Sequence, residues 1–246
     1  MLIQRDATIG EVVAKDFRAA RIFENYGLDY CCGGKKTISD VCSSKGIDPD
    51  KLITELSILP ENSDIRSNRF TEWEPDFLID YIVNNHHNYV TSSLPVISNH
   101  SLKVASKHGE RRPEVIRIAE LFTAVKSDLE IHLQKEEKML FPYIKKLALA
   151  VRNDLDLEYP PFGTVQNPIK VMESEHDVAG RLLDNIRELS NNYTPPPDAC
   201  ETYKVLYSEL KEFENDLHVH VHLENNILFP KSLKLEENLT NHNNHN

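Results

Sequence analysis

The sequence predicts an all-α protein, a small N-terminal helical domain joined to an antiparallel four-helix bundle. Three observations predict it. Long alternating β-branched runs are missing, so strand signals are weak. From Pro75 onward, apolar residues recur every three or four positions over about 75–108, 113–150, 168–191 and 198–235. The breaks between these stretches, at 109–113, 159–163 and 195–197, are rich in Pro and Gly. Four long amphipathic helices with such breaks suit neighbours that run antiparallel.

The elements follow in order. Residues 1–59 read as the small helical domain. Thr8-Ile9-Gly10-Glu11 is a capping-box pattern. One helix then carries Val12, Phe17, Ala20 and Phe23, and Gly27 stops it. After Tyr30-Cys31-Cys32-Gly33-Gly34, Thr37 and Asp40 start a second helix that Gly46 ends. Asp48-Pro49 opens a third, with Pro in the first helical position. Residues 60–74 are polar and lack an apolar period, so they read as a linker. Residues 75–235 form the bundle, and the Asn- and His-rich stretch 236–246 reads as a disordered tail.

Composition excludes several functions. Lys and Arg total 28 against 39 Asp and Glu, a net charge of −11. That argues against binding nucleic acid or an anionic membrane through a broad basic surface. No stretch approaches the roughly 20 apolar residues of a spanning helix, so a cytoplasmic protein is expected. Four cysteines without a Cys-x-x-Cys disfavour a disulfide scaffold or a structural zinc site.

The chemistry lies in a repeat. His132-Leu-Gln-Lys-Glu136 runs on to Leu140-Phe141-Pro142, and His220-Val-His-Leu-Glu224 runs on to Leu228-Phe229-Pro230. A His and a Glu four apart share a helix face and can reach one metal site. Each copy follows a helix with one inward histidine, His87 or His176. At 1.5 Å per residue, helices of roughly 30 Å bring His132 back to the height of His87. The apolar stripes select His87, His132, Glu136, His176, His220 and Glu224, whereas His86, His218 and His222 fall beside them. A single inward histidine is ordinarily a hydrogen-bonded core residue. Four of them with two carboxylates would leave charges buried at a cost of several kcal/mol each unless a metal binds.

Six ligands exceed what a tetrahedral zinc needs. Two carboxylates able to bridge, with two imidazoles per ion, suit two iron ions and, less well, manganese. They leave positions for a bridging oxygen and for O2 or NO. Glu-x-x-His occurs once in the ligand-bearing helices, at Glu173 and His176, which disfavours a ferritin-type site.

These residues resemble the hemerythrin-like di-iron bundle. The run Asp29-Tyr30-Cys31-Cys32-Gly33-Gly34-Lys35, joined to Met172-Glu-Ser-Glu-His176-Asp177, resembles the iron–sulfur cluster repair (Repair of Iron Centres) family. The resemblance implies two oxo- or hydroxo-bridged iron ions on the same six residues. It also implies repair of clusters damaged by nitric oxide or peroxide, damaged iron–sulfur proteins as partners, and a homodimer in some members. It leaves open whether iron is donated, or whether the centre is an enzyme consuming NO or O2, or a reversible binder of them. Cys31 and Cys32, on a tight turn with accessible sulfurs, are candidates for redox chemistry or iron transfer, with Lys35 and Lys36 placed to lower a thiol pKa. Asp128 and Glu175 are candidate carboxylates around the ligands. Cys42 and Cys200 read as packing residues.

Overall fold

The computed structural model describes residues 3–59, 70–157 and 160–243. Thr8 accepts from the Glu11 amide while Glu11 accepts from the Thr8 amide, starting α1 (Ile9–Lys15). The chain then departs from the single helix expected. Asp16 is extended at φ −146°, binds the Arg18 guanidinium, and separates α1 from α2 (Ala19–Asn25). Gly27, at φ 63°, turns the chain away. A 3-10 turn over Gly33–Lys35 leads to α3 (Ile38–Lys45), capped by Thr37 and ended by left-handed Gly46. Asp48 caps α4 (Pro49–Ser57). Among the described residues there is no strand, only an isolated bridge between Thr8 and Thr37.

The segment expected as a linker is partly packed structure. Residues 60–69 lie outside the described residues, but Phe70–Glu72 form a 3-10 turn. Phe70 is buried, and its ring meets Trp73 at 4.8 Å and Tyr81 at 5.5 Å. Apolar burial fixes this stretch despite its polar neighbours.

The bundle consists of α5 (Pro75–Tyr81) continuing into α6 (Asn88–His108), α7 (Glu114–Lys135) into α8 (Phe141–Asn153), α9 (Gln166–Leu189), and α10 (Glu201–Leu223) into α11 (Phe229–Asn243). Helix α7 packs between α6 and α9, and α6 packs on α10. The helix expected to end near 235 runs to Asn243, so the disordered tail is corrected; residues 244–246 lie outside the described residues. Glu236 holds this extension, accepting from the Val165 amide at 2.9 Å and the Tyr143 hydroxyl at 2.9 Å.

Three π-helical turns, at Ile82–His87, Glu136–Leu140 and Glu224–Leu228, interrupt the long helices where the candidate ligands sit. Pro142 and Pro230 account for two of them. Each lacks an N–H, and its ring crowds the carbonyl four residues back. The widened turn resolves the conflict: the Phe141 amide donates to the Glu136 carbonyl and the Phe229 amide to the Glu224 carbonyl, five residues back. Such turns recur at functional sites.

Of the neighbouring bundle helices, α9 and α10 are in the sparsest contact, and α1 also reaches α10. A cavity of about 800 Å³ remains between the N-terminal helices, α9 and α10, lined by Cys31, Cys32, His176, Arg187, Tyr193 and Glu214 among others. The loop beside it places Asn191, Asn192 and Tyr193 consecutively in the left-handed region. Glu214 is buried, with Arg187 Nη1 at 3.4 Å. Burial pushes its carboxyl up to about 7, against the pull of the Arg187 guanidinium. A carboxyl raised in the fold penalises the charged form. The contribution of this group to stability therefore falls as pH rises from about 4.5, where the unfolded chain ionises, to about 7, and is flat beyond. Glu214→Gln is expected to abolish that decline, gaining up to about 3 kcal/mol at pH 8 and little at pH 4.5. Thermal melts of both proteins across this range check it.

Candidate metal centre

The four helices deliver the six residues to one level. His87 closes the first π turn, Glu136 and Glu224 open the other two, His132 and His220 lie one turn earlier, and His176 faces them from α9. All six are buried. Their ligand atoms form two groups, His87–His220–Glu136–Glu224 and His132–His176–Glu136–Glu224, with the atoms of each group within 4.8 Å of one another. Both carboxylates belong to both groups.

Glu224 spans the groups with separate oxygens. Its Oε1 lies 2.9 Å from His220 Nε2 and its Oε2 lies 3.2 Å from His176 Nε2. Glu136 Oε2 lies 3.5 Å from His87 Nε2 and 3.4 Å from His132 Nε2. Three imidazoles are held from behind. His87 Nδ1 meets Glu137 at 2.8 Å, His132 Nδ1 meets Glu175 at 3.0 Å, and His176 Nδ1 meets the Asn225 carbonyl oxygen at 2.9 Å. A carboxylate or amide oxygen at Nδ1 selects the tautomer that donates there, leaving the Nε2 lone pair free. Yet His87 Nε2 and His220 Nε2 are 3.1 Å apart, and His132 Nε2 and His176 Nε2 are 3.0 Å apart. Facing lone pairs at that distance repel unless a cation or proton lies between them.

The carboxyls show the same demand for positive charge. Among the described residues neither oxygen of Glu136 has a hydrogen-bond partner, and burial, then Glu224, push its carboxyl well above the usual range. For Glu224, burial works upward, but His220 and His176 outweigh it and hold the carboxyl well below that range. Burial, then His176, lowers His132 to about 3. His87 moves the other way, raised by Glu224 and Glu137 against its burial. Nitrogen and oxygen donors gathered in two sets with shared carboxylates could hold metal.

The period-based reading missed what π turns do. His86 and His222 fall beside the stripes but are buried: His86 lies inside the first π turn, which shifts the helix phase, and His222, in the regular part of α10, is covered by the rings of Phe17 and Tyr30 from the N-terminal domain. Neither joins a ligand group. His86 Nδ1 pairs with Asp216 at 2.9 Å, and its ring stacks on His220 at 5.7 Å. Burial pushes His222 down to about 3. His218 is half-buried beside Tyr30. Sequence reasoning also missed Glu137 and Asn225, whose only signal was adjacency to a ligand. Of the two carboxylates expected around the ligands, Glu175 touches His132, whereas Asp128 is exposed.

The cysteine turn also differs from expectation. Asp29 accepts from the amides of Cys31, Cys32 and Gly33, each at 3.0 Å, and from the Cys31 thiol at 3.0 Å. Cys31 is buried rather than accessible, and Cys32 is half-buried, their sulfurs 3.9 Å apart. Cys32, burial and Asp29 together raise the Cys31 thiol well above its usual value. Lys35 does not counter this, because it pairs with Glu173 at 2.6 Å. Asp29, Cys31 and Cys32 form a third group able to hold a metal. Cys42 is buried as expected, but Cys200 is exposed, its sulfur 3.2 Å from His108 Nε2.

Two family models match the chain. One, ScdA_N, described as a domain of unknown function (DUF542), covers residues 5–59, and the hemerythrin HHE cation binding domain covers residues 78–232. The iron-sulfur cluster repair protein YtfE of Escherichia coli O81 (strain ED1a) is 37% identical over 233 residues, 93% of this chain and 97% of that protein. The proteins of the same name from Escherichia coli O1:K1 / APEC and Escherichia fergusonii are each 36% identical over the same shares. With a matching N-terminal module, a hemerythrin-type bundle and this likeness along nearly its whole length, the chain belongs to the family of hemerythrin-like iron–sulfur cluster repair proteins.

Proposed function

We propose that this chain is a di-iron protein of the nitrosative and oxidative stress response that restores damaged iron–sulfur clusters by supplying iron. The observation that carries it is the convergence of two imidazole pairs, nitrogen to nitrogen, across two shared carboxylates. His87 and His220 would hold one ion, His132 and His176 the other, with Glu136 and Glu224 spanning both. Iron bound there supplies redox activity and open positions for NO or O2. The chain's own residues keep the donors neutral or ionised as needed and exclude bulk water from the layer. Repair is what the relatives' name states, and damaged iron–sulfur proteins of the cytoplasm are the partners this reading requires.

Residues 1–59 serve in this reading as the module that brings Cys31 and Cys32 to the bundle for redox chemistry or iron transfer. Its support is the shared cavity, lined by both cysteines and by His176.

Purified protein is expected to carry about two iron per chain and to reactivate aconitase damaged by nitric oxide. The His132→Ala/His220→Ala variant should lose that recovery by roughly tenfold or more. Equal recovery with both proteins overturns the proposal. The open positions suit turnover of NO or O2 as well. Steady consumption with an electron donor would support that second reading, and binding that stops at stoichiometry would count against it.

A further inference from the structure

The two ion positions are related by the repeat, yet the groups behind their imidazoles are not equivalent. Behind His132 stands Glu175, itself paired with the Lys135 ammonium. Behind His176 stands Asn225, which is buried. That pair of rings is held by protein on both outer faces. On the other side, His87 leans on Glu137, whose side chain is 44% exposed. Glu137 borders a surface groove of about 340 Å³ lined also by Leu94, Glu130, Leu133 and Lys138. His220 Nδ1 is buried with no hydrogen-bond partner among the described residues, its ring steadied by stacking on His86.

Groups behind a ligand fix its ring and raise its basicity, and losing one typically costs 10–100-fold in metal affinity. A solvated carboxylate gives less of this than a buried or ion-paired one, and an unsupported ring gets none of it. We infer that the two ions are held unequally: the ion on His87 and His220 is the exchangeable one, and the ion on His132 and His176 is retained. This rests on the di-iron reading and deepens it by naming the half of the centre from which iron is given up. Glu137 acts here as a positioning residue through His87, and Glu175 does the same through His132.

The test is iron release from the fully loaded protein into a strong chelator, followed by iron per chain and by Mössbauer spectroscopy of the retained 57Fe. Release is expected in two phases of one ion each. Glu137→Gln should accelerate the fast phase by roughly tenfold and leave the slow phase within about twofold. Glu175→Gln should accelerate the slow phase instead. After the fast phase the spectrum should show one iron environment, the same in wild type and Glu137→Gln. A single phase for both ions, or a fast phase that answers to Glu175→Gln and not to Glu137→Gln, overturns the inference alone. A protein that never loads two ions overturns the di-iron reading, and the inference with it.

Discussion

Protein carrying Glu224→Ala, made in cells supplied with iron, will hold about a tenth or less of the wild-type iron, as measured by metal analysis. The size of the loss follows from one side chain serving two positions. Its two oxygens lie 2.9 Å and 3.2 Å from imidazole nitrogens of opposite pairs, so the truncation removes a donor from each. Glu136 is shared through one oxygen, Oε2, which lies 3.5 Å from His87 Nε2 and 3.4 Å from His132 Nε2, and it differs in its electrostatics. Without metal its carboxyl is buried and unpartnered, driven toward the neutral form. Glu136→Gln is therefore expected to stabilise the metal-free protein at neutral pH and to leave it nearly unchanged in acid, because the amide escapes the penalty on an ionised carboxylate buried beside Glu224. The iron-loaded wild type should nonetheless melt higher than the variant, because binding to the folded state alone adds stability. Full iron retention in both variants would remove the shared-carboxylate assignment.

The second large effect lies at the contact between the cysteine turn and the bundle. Asn226, inside the third π turn, donates to the carbonyls of Tyr30 at 3.1 Å and Cys31 at 3.2 Å, and lies 3.1 Å from His222 Nδ1. A Cβ on Gly34 would collide with its carboxamide, and one on Gly10 would lie 2.8 Å from Asn226 Cγ and 2.9 Å from the Gly34 carbonyl oxygen. Because Asn226 is tied on several sides, it cannot swing away without breaking those bonds. Gly10→Ala is expected to cost about 1–3 kcal/mol, and Gly34→Ala somewhat less because only a side chain must yield. Thermal melts check this, and Gly46→Ala offers a control, since there the strain is of backbone φ alone with nothing within 4 Å.

The bundle was legible in the sequence because a 3.6-residue apolar period and Pro-rich breaks are local signals. The two ligand groups were legible because the His-x-x-x-Glu repeat doubles a weak signal. What the period could not show were the π turn that shifts the phase at His86 and the N-terminal domain, whose Phe17 and Tyr30 cover His222. Glu137, Glu175 and Asn225 behind the imidazoles depend on how helices meet in space, and only Glu175 had drawn notice. The burial of Cys31 was hidden for a similar reason. Its surroundings are partly supplied by α9 and α10, far along the chain.

The ligand layer also divides the interior. Above it one apolar cluster joins the N-terminal helices to Val90, Leu129, Leu183 and Leu217; below it a second gathers Phe70, Leu78, Phe141, Met172 and Phe229. Between them lies a slab of six polar side chains in which Glu224 is drawn to His220 and His176, while the facing imidazole nitrogens and the unpartnered Glu136 carboxyl oppose close packing. Whatever cation fills that slab acts as a rivet through a seam. In the di-iron reading proposed above, the two halves would be tied through the centre, and release of an ion would loosen the seam.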